Sequence, residues 1–332
     1  MNIALHRDTK TLKTGAGLLL ISACVGIGGA TAAQAHDDHC AAIAGSVVDA
    51  GFADSVTVTC SDTHATIRSD TYPDHDLMTG ITGTNEQVPV PADYAAPVIL
   101  VPELGDTPLT RDAALGVAVN GVPIYDYTGG GEMSQTDLAH HQAQHDTVQT
   151  GQLDICGGHA GRGDDYHYHA APVCMIAQMD NAGPNAVIGW AFDGFPIYGD
   201  TNPDGSVIAD GVLDVCNGQP DVQFGYRYHT SQDAPYIVQC LMGVVADFDA
   251  LPRVAPLVAA AGGGATPGRP PQGGVEGLVY SEDENGQRRM DYRYAGEDYY
   301  IRYAPAATQG CYDFETKTVT NAGALQSGEY CR

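Results

Sequence analysis

Histidines carry the strongest chemical signal in the chain. His167 and His169 flank Tyr168 in Tyr166-His167-Tyr168-His169. On a strand, side chains alternate, so both imidazoles point to one face and both tyrosines to the other. Two imidazoles on one face are half of a tetrahedral or tetragonal transition-metal site. His159 lies eight residues upstream across a glycine-rich loop and can fold back as a third ligand. His141 and His145 are four apart in a segment that reads as a short helix from Thr136 to Val148, where they share a face and can chelate.

The segment around these histidines is duplicated. Gly116-Val-Ala-Val-Asn-Gly-Val-Pro-Ile-Tyr125 recurs as Gly189-Trp-Ala-Phe-Asp-Gly-Phe-Pro-Ile-Tyr198, offset by 73. Leu153-Asp-Ile-Cys-Gly-Gly-His159 recurs as Leu213-Asp-Val-Cys-Asn-Gly-Gln219, and Tyr166 to His169 recurs as Tyr226-Arg-Tyr-His229, both offset by 60. Each copy predicts an apolar strand, an Asn/Asp-Gly turn and a second strand. His229 repeats His169 and stands as framework or ligand. Gln219 and Arg227 replace His159 and His167, and the 13 residues that separate the two offsets carry His141 and His145 in copy one. The excess histidines therefore belong to copy one, where a site is expected. Imidazole-rich ligation points to copper or zinc.

Asp200, Asn202 and Asp204 match the start of a calcium loop, D-x-[DN]-x-[DN]-G. The twelfth position is Gly211 instead of a glutamate, and Asn202 to Gly205 also reads as an ordinary turn. The alternative functions are a metalloenzyme, with Asp164, Asp165 and Asp193 as candidate acids or bases, and a glycan- or protein-binding surface module using the tyrosines. There is no nucleophile elbow, phosphate loop or dinucleotide fingerprint.

The elements that position these residues are bounded by composition. Arg7, Lys10 and Lys13, an apolar run and Ala33-Gln34-Ala35 read as a signal peptide over residues 1–35, with His36 as the new N-terminus. Ile21-Ser-Ala-Cys24 is a competing lipobox that would anchor Cys24 to lipid. Either reading sends the chain out of the cytoplasm, to the periplasm or beyond, with no membrane span. A mature N-terminal His36, with His39 nearby, would also allow a copper brace.

The remaining eight of nine cysteines are an even set, which in an oxidising compartment reads as four disulfides. Neighbour pairing, within each copy for Cys156/Cys174 and Cys216/Cys240, is the simplest scheme. Past residue 35 the chain holds 12 Lys+Arg against 40 Asp+Glu, a charge of −28. Such a surface repels nucleic acid and anionic lipid.

With 41 Gly, 19 Pro and 18 Tyr, the fold class is mainly β with short helices and long loops, a duplicated and disulfide-stapled β-rich module. The parts are an N-terminal β segment over 36–110, the duplicated core over 111–250, a Gly/Pro/Ala-rich linker over 251–274 and a tail over 275–332. In the tail, Asn285-Gly286 between alternating segments predicts a hairpin.

Cys156-Gly-Gly-His159, Tyr166-His-Tyr-His169, Ile188 to Gly199 and Ala234-Pro-Tyr236 resemble the YHYH domain family of exported, mostly bacterial proteins. Tyr72-Pro-Asp-His75 is similar to that family's upstream Pro-Asx-His element, which implies His75 as a further ligand. The resemblance spans roughly residues 65–245 and implies no settled activity. Gln219 and Arg227 depart from the fuller histidine motif that members often carry in the second copy.

Overall fold

The two copies of the repeat meet at a pseudo-twofold axis in the middle of one eight-stranded sheet. In this computed structural model the described residues are 32–83, 89, 91–131, 133–160, 165–254, 274–308, 311–319 and 322–331. Copy one supplies β5 (Gly116–Ala118), β6 (Pro123–Ile124), β7 (Gly158–Ala160) and β8 (Tyr166–Tyr168). Copy two supplies β9 (Gly189–Ala191), β10 (Pro196–Tyr198), β11 (Gly218–Asp221) and β12 (Gly225–His229). The strand order is β11-β12-β10-β9-β5-β6-β8-β7, so each half mirrors the other.

The central pair β5/β9 is antiparallel with Val117 opposite Trp190, and those two residues are equivalent positions of the repeat. Each copy then pairs its second strand in parallel with its Tyr-x-Tyr strand in one register: Ile124 with Tyr168, Ile197 with Tyr228. The duplication thus builds one sheet by adding each half's edge to the other's. Neither half leaves its first strand unpaired.

The same bonds fasten both halves, buried in copy one and part-buried in copy two. Asp154 Oδ1 accepts from Cys156 N and Gly158 N, and Asp154 Oδ2 accepts from Tyr166 Oη at 2.8 Å. Asp214 Oδ1 accepts from Cys216 N and Gly218 N, and Asp214 Oδ2 accepts from Tyr226 Oη at 2.7 Å. Burial, opposed by these donors, raises Asp154 to about 6. Tyr168 Oη accepts from Asn120 Nδ2, whereas Tyr228 Oη donates to Asp193 Oδ2 at 2.5 Å. Asp193 is therefore the counterpart of Asn120 and a framework acid. All four motif tyrosines are buried and offer no surface for a glycan.

Around this sheet the chain adds a three-stranded sheet of β1 (Thr57–Cys60), β2 (His64–Ser69) and β3 (Tyr94–Ile99). β4 (Leu104–Leu109) pairs with β13 (Leu241–Gly243), so the start and end of the central region close on each other. The expected β segment from residue 36 begins instead with a helix, α1 (Ala32–Asp49). His39, Ile43, Ser46, Val47 and Ala50 are buried at helical spacing, and Ser46 Oγ accepts from Trp190 Nε1 at 2.9 Å. Of the signal peptide and lipobox, residues 1–31 and Cys24 lie outside the described residues.

The tail forms one antiparallel meander, β14 (Glu276–Glu282), β15 (Arg288–Tyr294), β16 (Glu297–Pro305), β17 (Cys311–Lys317) and β18 (Leu325–Cys331). The Asn285-Gly286 turn stands where the sequence placed it, with Gly286 at φ +74°. Of the linker, residues 255–273 are outside the described residues. Disulfides join Cys40–Cys60, Cys156–Cys174 and Cys216–Cys240, the neighbour scheme. Cys311 is also disulfide-bonded and faces Cys331 in strand register. Such cross-links fit an oxidising compartment. Among the described residues no helix is long and apolar enough to cross a membrane.

Candidate metal centre

The β7/β8 hairpin sets His159 directly opposite His167, and alternation along the chain places His169 on the same face. The three rings form a near-equilateral triangle, with centroids 5.0, 4.9 and 4.7 Å apart. All three are buried, at 2%, 6% and 3% exposure. One ring nitrogen from each lies within 4.8 Å of the other two.

Backbone carbonyls decide which nitrogen that is. His159 Nδ1 donates to Gln152 O at 2.9 Å, His167 Nδ1 to Asp165 O at 3.0 Å, and His169 Nδ1 to Asp126 O. A carbonyl only accepts, so each proton sits on Nδ1 and each Nε2 presents a lone pair. This is how metal-ligating histidines are oriented. Burial, and then the charge of His167, holds His159 down at about 3. Burial likewise holds His169 well below the ordinary histidine value. Both are therefore neutral at neutral pH, the form a metal requires. Tyr125 stacks on His167 at 4.2 Å, and Asp165 Oδ2 stands 3.5 Å from His167 Nδ1. Asp165 is buried but remains ionised below the ordinary carboxylate value. Burial opposes this, and the hydrogen bond and charge of His167 overcome it.

Copy two shows what the same scaffold does without a metal set. His229 Nδ1 is bonded to Gly199 O at 2.8 Å, the counterpart of the bond from His169 to Asp126 O. Its Nε2, however, faces Arg227 Nε at 2.9 Å and Gln219 Nε2 at 3.0 Å. Arg227 also donates to Asp221 Oδ2 at 2.6 Å and to Asn202 Oδ1 at 2.8 Å. A guanidinium thus fills the space between the ring and two oxygen acceptors.

The other candidate ligands fall elsewhere. His75 packs on the tyrosine face of β8, with Nδ1 on Asp76 O and Nε2 on Tyr168 Oη at 2.8 Å. It is close enough to Cys156 and Cys174 for the three to hold a metal, but those sulfurs are joined to each other. The expected helix over 136–148 is only α2 (Gln135–Leu138), capped by Ser134 instead of Thr136. Past Leu138 the chain is tied by Tyr127 Oη, which accepts from Gln142 N, and by buried Asp146, which takes His141 Nε2 at 2.6 Å. His141 and His145 therefore share no helix face, and His145 is exposed. Of the calcium set, Asn202 Oδ1 is taken by Arg227 and Gln219, and Asp204 Oδ1 accepts from Ser206 N in a turn. His39 is buried against Trp190, with Nε2 on Gly194 O, and its ring is not free for a copper brace. Asp164 is outside the described residues.

Sequence reasoning missed Tyr125, whose recurrence as Tyr198 marked it only as framework. It also missed the shared roles of Asp154 and Asp214, although the repeated Leu-Asp-x-Cys carried that signal.

The comparison with known families supports the motif reading. Residues 97–207 match the family described as YHYH protein. Over this segment the chain is similar to YHYH proteins. The segment includes the three-histidine cluster and ends before copy two's Tyr226 to His229. No curated protein and no solved structure matches the chain significantly.

Proposed function

We propose that this protein binds one transition-metal ion, zinc or copper, through His159, His167 and His169, outside the cytoplasm. The observation that carries the reading is the shared orientation of the three rings. Each Nδ1 is tied to a backbone carbonyl, which leaves Nε2 as the open ligand atom on each of three buried, clustered rings. Three imidazoles held on one face with their Nδ1 atoms engaged are the donor set that a transition-metal ion uses. The three-histidine set suits zinc and copper better than calcium or magnesium, which prefer oxygen.

Elemental analysis of purified mature protein, with calorimetric titration of zinc and copper into chelator-treated samples, tests this. One equivalent is expected, lost in His167→Ala. A folded wild type that takes up neither metal overturns the reading.

Three protein ligands also leave a fourth position for water or substrate, as in catalytic sites. Asp165, one side chain away, favours a metalloenzyme as the second reading. Chelator-sensitive turnover on ester or phosphate substrates would support it.

A further inference from the structure

A groove of about 760 Å³ opens between the two copies of the repeat, a volume in the range of small-molecule sites. None of the three clustered histidines lines it. One wall is aliphatic and carries Leu153, Ile155, Val173, Ile176, Met179 and Ile188. Ile155 and Val173 each precede a half-cystine of the Cys156–Cys174 bridge, which fastens their two stretches together. They stay 59% and 50% exposed, and exposed apolar surface gathered in a groove marks a binding site. Copy two has no such wall. Val173 opens a helix, α3 (Val173–Gln178), whereas Cys240, the counterpart of Cys174, leads into β13.

The opposite wall is polar and comes from copy two. Thr230 N donates to Tyr198 O and Ser231 N to Tyr236 O, so residues 199–201, residues 230–232 and Tyr236 form one continuous surface. Among the described residues, Tyr236 is the one aromatic side chain that lines the groove. Its hydroxyl is fixed on Asp146 Oδ2 at 2.9 Å, and its ring meets Tyr127 edge-on at 6.3 Å. The ring is therefore held in place from behind.

The charge in the groove has one sign. Among the described residues no Lys, Arg or His lines it, and its acids are Asp154 and Asp200. Asp154 is saturated, with Tyr166 Oη and the backbone N–H groups of Met78, Cys156 and Gly158 on its oxygens. Asp200 is exposed on the polar wall, and Arg227 of the same copy is committed to Asp221 and Asn202. The groove thus pairs an aliphatic wall with one accessible carboxylate and one fixed aromatic ring.

We infer that this groove binds a single-chain amphiphile with a cationic head, of the alkylammonium class. Its alkyl chain lies along the aliphatic wall, which offers methyl and methylene groups and no flat ring to stack on. Its head sits against the ring of Tyr236, where a cation meets the negative face of the aromatic, with the Asp200 carboxylate on the same wall. A fatty carboxylate would set like charge against Asp200, and a neutral head would forgo both attractions. The site uses no metal and is separate from the histidine cluster.

Calorimetric titration of chelator-treated full-length mature protein with decyltrimethylammonium, decanoate and decyl maltoside, each below its micelle concentration, tests this separately from metal uptake. Salt at about 0.15 M screens attraction to the acidic surface at large. One equivalent of the ammonium is expected to bind, about tenfold or more tightly than decanoate. Tyr236→Leu should weaken the ammonium by about threefold or more. Asp200→Asn should weaken it by about two- to fivefold and leave the maltoside unchanged. Val173→Trp separates seating in the groove from adhesion to an acidic surface. It fills the groove from a half-exposed position without changing the charge, so the protein should fold and binding should be lost. Absence of ammonium binding, decanoate or maltoside binding as tightly, or ammonium binding that survives Val173→Trp overturns the inference.

Discussion

Arg227 Nε lies 2.9 Å from His229 Nε2, against the one ring nitrogen of copy two that is equivalent to a proposed metal ligand. The fixed positive charge is held by Asp221 and Asn202 as well. Copy two therefore keeps the scaffold of the site and supplies its own cation.

That relationship predicts metal stoichiometry. Wild type should hold one zinc or copper. The double variant Gln219→His/Arg227→His restores three imidazoles on the same register and should hold two. Asp221, freed of Arg227, keeps its bonds from Gln223 N and Phe224 N, so the variant is expected to fold. A double variant that still binds a single equivalent would show that imidazole identity is not what separates the copies.

Asp165 should tune the first site without being a ligand. Its carboxylate stands on the Nδ1 side of His167, away from the lone pair that faces the cluster. Outer partners of this kind are worth about 10–100-fold in metal affinity. Asp165→Asn should therefore weaken zinc binding by that range while one equivalent still binds, measured by competition with a chromophoric chelator. Complete loss, as in His167→Ala, would make Asp165 a direct ligand instead.

Much of this site was legible because the sequence repeats itself. The 60-residue offset separated His159 and His167 from the shared tyrosines and cysteines, and period-two alternation placed His167 and His169 on one face. The folding back of His159 followed from the glycine-rich stretch between it and His167. His141 and His145 misled because spacing of four means a shared face only on a helix. There, buried Asp146 and the Tyr127 hydroxyl hold the chain in turns. The N-terminal helix was missed although Ile43, Val47 and Ala50 already had helical spacing.

His39 gives a pH prediction outside the site. Its ring is buried 5.3 Å from Trp190, the chain's one tryptophan, and burial depresses its pKa below 6.5, with His36 adding to the effect and Gly194 O opposing it. The unfolded chain then binds the proton more readily than the folded one. His39's contribution to stability is full above pH 6.5 and is lost as pH falls below it. Denaturant unfolding followed by Trp190 fluorescence should show wild type's advantage over His39→Gln shrinking between pH 7.5 and 5.5. An advantage that grows on acidification would mean the folded state prefers the charged ring.

Gly158 links the framework to the three-histidine cluster. A Cβ added there would stand 2.6 Å from His167 O and 2.7 Å from the Tyr166 hydroxyl, with backbone on one side and a buried ring on the other. The ring cannot retreat, because its hydroxyl is bound to Asp154 and its edge lies against Tyr168. Gly158→Ala should therefore destabilise the protein by about 1–3 kcal/mol. It should also loosen metal binding, because His159 and His167 are set by the strand pair that carries Gly158. Gly130 offers the control. It has positive φ like many turn glycines, but no atom lies within 4 Å of its added Cβ. Gly130→Ala should cost only backbone strain and leave zinc affinity unchanged. Equal losses of zinc affinity in both variants would show that the effect is general unfolding, not displacement of the β7/β8 pair.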